Sequence, residues 1–144
     1  MIITDLEAYL RADAEKAGIT TFFIGYIEDM QVLRGNKDHY PVLRMLPQEF
    51  PIGWQEGEEY QTSLNLTLYW RSTGKSTDPL DKLSDRVSDW KEAIAFTNTF
   101  IKELHTGTYM RVLNEPVIGQ LLPEGQVQER VVAINFKLDI TLFC

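Results

Sequence analysis

Two segments of this chain alternate with a period of two, and a helical period lies between them. In residues 60–71, Leu64, Leu66, Leu68 and Trp70 fall on one side. Gln61, Ser63, Asn65, Thr67 and Arg71 fall on the other. In residues 128–143, Val132, Ile134, Phe136, Leu138, Ile140 and Leu142 lie opposite Ala133, Asn135, Lys137, Asp139 and Thr141. This is the pattern of half-buried antiparallel strands, the second spanning roughly 45–50 Å at about 3.3 Å per residue. Between them, from Asp78 to His105, the residues Leu80, Leu83, Val87, Trp90, Ile94, Ile101 and Leu104 keep a three/four spacing, broken by Thr97. That spacing predicts a helix roughly 40 Å long, at about 1.5 Å per residue, with this stripe buried against the sheet. Asp78 suits the N-cap and Pro79 the first helical position, and Asp81 complements the dipole. Gly107 follows as a stop.

A shorter helix is predicted at the N-terminus. Thr4 or Asp5 can cap it, its apolar face is Leu6, Tyr9, Leu10, Ala14 and Ala17, and Gly18 ends it. Residues 19–30 read as a strand that is apolar on both sides, which implies cover on both faces or contact with another subunit. Residues 34–38 form a polar turn-rich loop. Residues 40–46 read as a short strand, with Pro41 near its start and Pro47 just past its end. Residues 48–59 are loop-like, apolar from Phe50 to Trp54 and then acidic. Residues 109–122 read as a strand interrupted by Pro116 and Gly119, followed by a turn at Pro123, Glu124 and Gly125.

The resulting order is helix, three strands, long helix, two strands. It predicts a single α+β domain over residues 1–144. The domain is a two-layer sandwich, with a mostly antiparallel sheet packed on its apolar face by the N-terminal helix and the long helix. The polar sheet face, with Lys137 and Asp139, is left for water or a partner.

Composition narrows the function classes. The 144 residues are 44% hydrophobic, enough for one proper core. Acidic residues number 21 against 14 basic, a net charge of -7. That average argues against a sequence-independent grip on nucleic acid, which needs a basic face. The one cysteine, Cys144, excludes an intramolecular disulfide and reads as a small apolar strand-end residue. No run approaches the ~18 apolar residues that span a bilayer, and no signal peptide is expected from Met1-Ile2-Ile3-Thr4-Asp5.

No residue set assembles a chemistry. Gly74-Lys75-Ser76-Thr77 mimics the end of a phosphate-binding loop, but the glycine required five residues earlier is Tyr69, inside an alternating strand. The segment reads as a lead-in to the helix. His105 sits where an imidazole complements a helix C-terminus. His39, beside Asp38, lacks a marked nucleophile, and neither histidine has companions at metal-ligand spacing. Glu56, Glu58 and Glu59 do not match a calcium loop and read as a solvated acidic stretch. No cofactor, metal or catalytic residue is expected.

The projecting loops are the stronger candidates. Trp54, with Phe50, Pro51 and Ile52, either folds back on the core or docks on a partner. The interface candidates are Arg34, Lys37 and His39 in one loop, Phe50, Ile52, Trp54, Glu56 and Glu58 in a second, and Gln120, Glu124 and Gln126 at a hairpin tip.

The element order, the size and the closing strand Val131-Val132-Ala133-Ile134-Asn135-Phe136-Lys137-Leu138-Asp139-Ile140 resemble tail terminator (tail completion, or head–tail joining) proteins of tailed bacteriophages. The likeness spans nearly the whole chain as a pattern of elements, and that family has no catalytic residues to carry over. The resemblance implies a homo-oligomeric ring, often a hexamer. The ring caps the tail tube and docks to the connector in the neck of the virion, after assembly in the host cytoplasm. DNA would cross the lumen without being gripped, which suits the negative charge. The alternative on the same sandwich is a small ligand-binding module or small enzyme. Its ligand would lie in the gap between helix and sheet, against Trp90, Tyr69 or His39.

Overall fold

The computed structural model describes residues 2–26, 28–29, 39–50, 59–71, 79–122 and 131–143, with side chains at all of these except 2–4, 59 and 79–86. The order is α1 (Ile2–Lys16), β1 (Thr21–Ile24), β2 (Val42–Glu49), β3 (Glu59–Arg71), α2 (Pro79–Thr106), β4 (Met110–Val112), β5 (Gly119–Leu121) and β6 (Val131–Phe143). The strands form one mixed sheet in the order β1-β2-β3-β6-β4, and β5 pairs with β6 beside β4. Only β1 on β2 is parallel. Both helices pack on one face, giving the α+β sandwich that the alternation predicts.

The two alternating segments are the spine. β3 and β6 pair antiparallel in unbroken register from Glu59↔Phe143 to Arg71↔Val131. Leu64, Leu66 and Leu68 are fully buried on the helix side, with Phe136, Leu138, Ile140 and Leu142 beside them. Each such side chain contributes about 1.5–3 kcal/mol of burial free energy. α1 adds Leu6, Leu10, Ala14 and Ala17 to the same core. It begins at Ile2, so Thr4 and Asp5 lie within its first turn and not at its cap. Its end is as expected. Gly18 takes φ 83°, its N–H donates to Glu15, and the Ile19 N–H reaches back to Ala14 at 2.9 Å. That paired closure needs a left-handed residue, which glycine adopts without a Cβ clash.

The long helix differs from expectation in which face it buries. Ala93 and Phe100, outside the expected stripe, are buried, with Phe96 partly so against Trp70, ring centroids 5.3 Å apart; of the stripe itself, Leu104 is buried as expected and Ile101 partly so. Val87, Trp90 and Ile94 are exposed. The buried face is displaced from the expected stripe by roughly a third of a turn. Ala93 supplies the reason: its small side chain lets the helix axis approach the sheet, which a face carrying Trp90 and Ile94 would hold away.

Three strand boundaries also differ. β1 covers only part of the segment read as 19–30. Pro47 lies within β2, at the register irregularity between Pro47 and Glu49, beyond the stretch that pairs with β1. A missing N–H is tolerated at such a site. The segment after α2 forms two strands, β4 and β5, not one. Between Val112↔Ile140 and Gly119↔Phe136 the pairing on β6 slips by three residues. Asn114 closes the gap: its amide donates to the Lys137 carbonyl at 2.7 Å and accepts from the Asp139 N–H at 2.8 Å.

The polar sheet face is not uniformly open, as Thr67 and Thr141 are fully buried. Asn135 donates to Asn65 and Thr67 across the strands, and Arg44 donates to the Tyr69 hydroxyl and the Gly25 carbonyl. Tyr40, Val42, Tyr69 and Ala133 form a small apolar cluster at one end of this face.

Candidate functional site

The displaced helix leaves a cleft of about 970 Å³ between α2 and the β4–β5 connection. Ile134 and Phe136 of β6 form its floor, Ile94 and Ile101 its helix wall, and Val117 and Leu121 its far wall. Thr97, the break in the apolar run, also faces it. The Thr97 hydroxyl donates to the Ala93 carbonyl one turn back, so it can line an apolar cleft with its hydrogen bond already made. At the C-terminal end of α2, His105 Nδ1 stands 3.3 Å from Glu115 Oε1. Both side chains are well exposed, so this contact adds little stability.

Two features extend the cleft into a surface. Val87 and Trp90 continue the line of Ile94 along the helix, 45%, 37% and 44% exposed respectively. From Val87 to Ile101 this line runs about 21 Å at about 1.5 Å per residue. On the other side, β5 is an outer strand exposed throughout, with Ile118 standing 71% exposed just before it. Lys91 and Lys102 are exposed one step further round the helix, and neither has an ion-pair partner among the described residues.

At the opposite edge of the sheet, β1 is guarded. Phe22 turns its carbonyl away from β2, and Arg11 donates to it at 3.0 Å. The guanidinium also lies 5.3 Å from the Phe22 ring and pairs with Glu7. A capped edge carbonyl blocks strand addition there. Just past β1, Tyr26 projects with 66% exposure, followed by exposed Glu28 and Asp29. Asp29 accepts the Tyr26 N–H at 2.8 Å and holds the turn.

Of the expected interface residues, Arg34, Lys37, Ile52, Trp54, Glu56, Glu58, Glu124 and Gln126 lie outside the described residues. His39 sits in the turn before β2, where its carbonyl accepts from Thr21 Oγ1 at 2.8 Å. Phe50 is exposed at the end of β2, and Gln120 is the central residue of β5 beside the cleft. The structure does not bring these three together. Trp90, Tyr69 and His39, expected against a ligand, do not line the cleft; Tyr69 is buried on the other sheet face. The long helix, expected to bury its apolar stripe against the sheet, supplies one wall. Its signal was a second three/four series, Ala93, Phe96, Phe100 and Leu104, which competes for the buried face.

No family model and no characterised protein sequence matches the chain. Among the described residues no helix is long and apolar enough to cross a membrane, and no group of three or more His, Cys, Asp or Glu side chains is gathered as a metal ion would need.

Proposed function

We propose that this protein is a structural virion subunit. Copies of it form a ring at the head-proximal end of a phage tail, joining the tail tube to the connector in the neck. The observation that carries this reading is the partly exposed apolar line Val87, Trp90 and Ile94, which at Ile94 runs into the cleft shared with Leu121 of the edge strand β5. A contiguous apolar surface of this kind marks an association site. Its position on one side of the sheet suits heterologous contacts, which form rings when the rotation between copies closes. The location, in the virion after assembly in the host cytoplasm, follows from the resemblance of the sequence's pattern of elements to tail terminator proteins. The net charge of -7 suits a ring through which DNA passes without being held.

The test is the mass in solution by light scattering, followed by addition to purified tail tubes. A higher cyclic oligomer of the 16.6 kDa chain that binds tube ends supports the reading. A species that stays monomeric at high concentration and ignores tail tubes sinks it. The cleft favours a second reading, a module for a small apolar ligand. A monomer whose melting temperature rises with such a ligand would support that instead.

A further inference from the structure

We propose that the α2–β5 surface of one copy receives the β1 edge of the next copy, with Tyr26 as the anchor in the cleft and Glu28 facing Lys102. This rests on the ring reading and names the contact that builds the ring.

Four observations point to this occupant. The apolar line continues past the cleft to Trp90 and Val87, so it is longer than a small molecule needs and fits a macromolecular surface. β1 and β5 lie at opposite sides of the sheet, and a head-to-tail contact requires two different patches so placed. Tyr26 is the most exposed large aromatic among the described residues. A tyrosine suits such an anchor, with an apolar ring to bury and a hydroxyl to leave at the wet rim, where Asn98 and His105 stand. Charge agrees as well. In a chain of net charge -7, Lys102 stands next to Ile101 of the cleft wall, exposed and without an ion-pair partner among the described residues, and exposed Glu28 follows the anchor by two residues. Rim pairs of this kind fix register and partner choice.

The capped carbonyl of Phe22 sets the mode of contact. With Arg11 on it, the β1 edge does not extend the neighbour's sheet, so the contact is made by side chains entering the cleft.

The experiment compares the wild type with Ile94→Asp and Tyr26→Ser by light scattering, with far-UV circular dichroism as the fold control. Both substitutions are at exposed positions, and both are expected to give folded monomers. Mixing the two in equal amounts is the decisive arm. Each variant keeps the half that the other lacks, so the mixture should form a species of twice the chain mass and no ring. Lys102→Glu should weaken assembly, and adding Glu28→Lys in the same chain should restore it. If Ile94→Asp fails to fold, Lys102→Glu paired with Tyr26→Ser carries the same mixing test. A wild-type ring that is indifferent to Ile94→Asp or Tyr26→Ser, or a mixture that yields no dimer, overturns the contact and leaves the ring reading standing. A monomeric wild type overturns the ring reading and this contact with it.

Discussion

The hydroxyl of Tyr109 donates a hydrogen bond to the carboxylate of Asp13, tying the segment after α2 to the first helix. The Tyr109 ring lies flat on Tyr9, centroids 4.0 Å apart and planes 18° apart. Asp13 is almost wholly buried. Burial pushes its carboxyl above the ordinary value near 3.8, against the Tyr109 hydrogen bond and Lys16, which lower it; Glu103 raises it further. Burial and the same contact push the Tyr109 phenol well above its usual range, so it stays a donor at neutral pH.

The first prediction concerns pH. The folded state binds the Asp13 proton more tightly than the unfolded chain, so this group's contribution to stability is fully present below 3.8. It is lost as pH rises from there through the higher folded value. Asp13→Asn keeps an acceptor for Tyr109 and removes the ionisation. Melting temperatures of both proteins, taken between about pH 3 and pH 8, should show the difference moving in favour of the Asn variant as pH rises and then levelling off. A difference that stays constant across that range would refute the assignment.

Asn114 stands in for a strand residue, since its side chain makes the two bonds to β6 that a backbone would make. Asn114→Ala should cost about 1–3 kcal/mol, because the Lys137 carbonyl and the Asp139 N–H lose partners. The site-specific reading is hydrogen exchange. The Asp139 amide should exchange faster in the variant while the Leu138 amide, paired within the β3–β6 ladder, keeps its protection. Equal protection of Asp139 in the two proteins would count against the role.

Arg11→Ala should change thermodynamic stability little, since the Glu7 pair is nearly half exposed and such pairs contribute about 0.2–1 kcal/mol. Its effect should appear as association. With the Phe22 carbonyl uncapped, β1 becomes an open edge, and irregular aggregates should grow with concentration. Scattering that remains at the wild-type level under the same conditions would show that Arg11 does not guard the edge.

Thr141 is fully buried and its hydroxyl finds no hydrogen-bond partner among the described residues. Thr141→Val keeps the β-branched shape and removes the orphaned group, so it should stabilise the fold by about 1 kcal/mol. Chemical denaturation checks this. A loss of stability would mean that the hydroxyl is satisfied in solution.

The fold was legible where a single periodicity had a single solution. In β3 and β6, a one-residue slip would turn Leu64, Leu66 and Leu68, or Ile134, Phe136 and Leu138, to the wrong face, so alternation decides the faces. Gly18 likewise ends α1 because its conformation disfavours a side chain. The surface around the cleft was not legible, and α2 shows why. Val87, Trp90, Ile94 and Ile101 form one three/four series, and Ala93, Phe96, Phe100 and Leu104 form another. The register slip at Asn114 was equally hidden: Pro116 and Gly119 marked an interruption, but not how many residues would leave the strand.

Local pattern, then, settles the two faces of the long strands and the end of α1 at Gly18, because those depend on a period of two and on dihedral preference. Which face of α2 meets the sheet, and hence which apolar residues are left outside, is decided only when helix and sheet approach. Close packing favours the side on which Ala93 permits the shortest separation, and the bulkier Trp90 and Ile94 are turned outward, Ile94 into the cleft beside β5. The long helix is therefore both the brace of the sheet and one wall of the cleft beside β5.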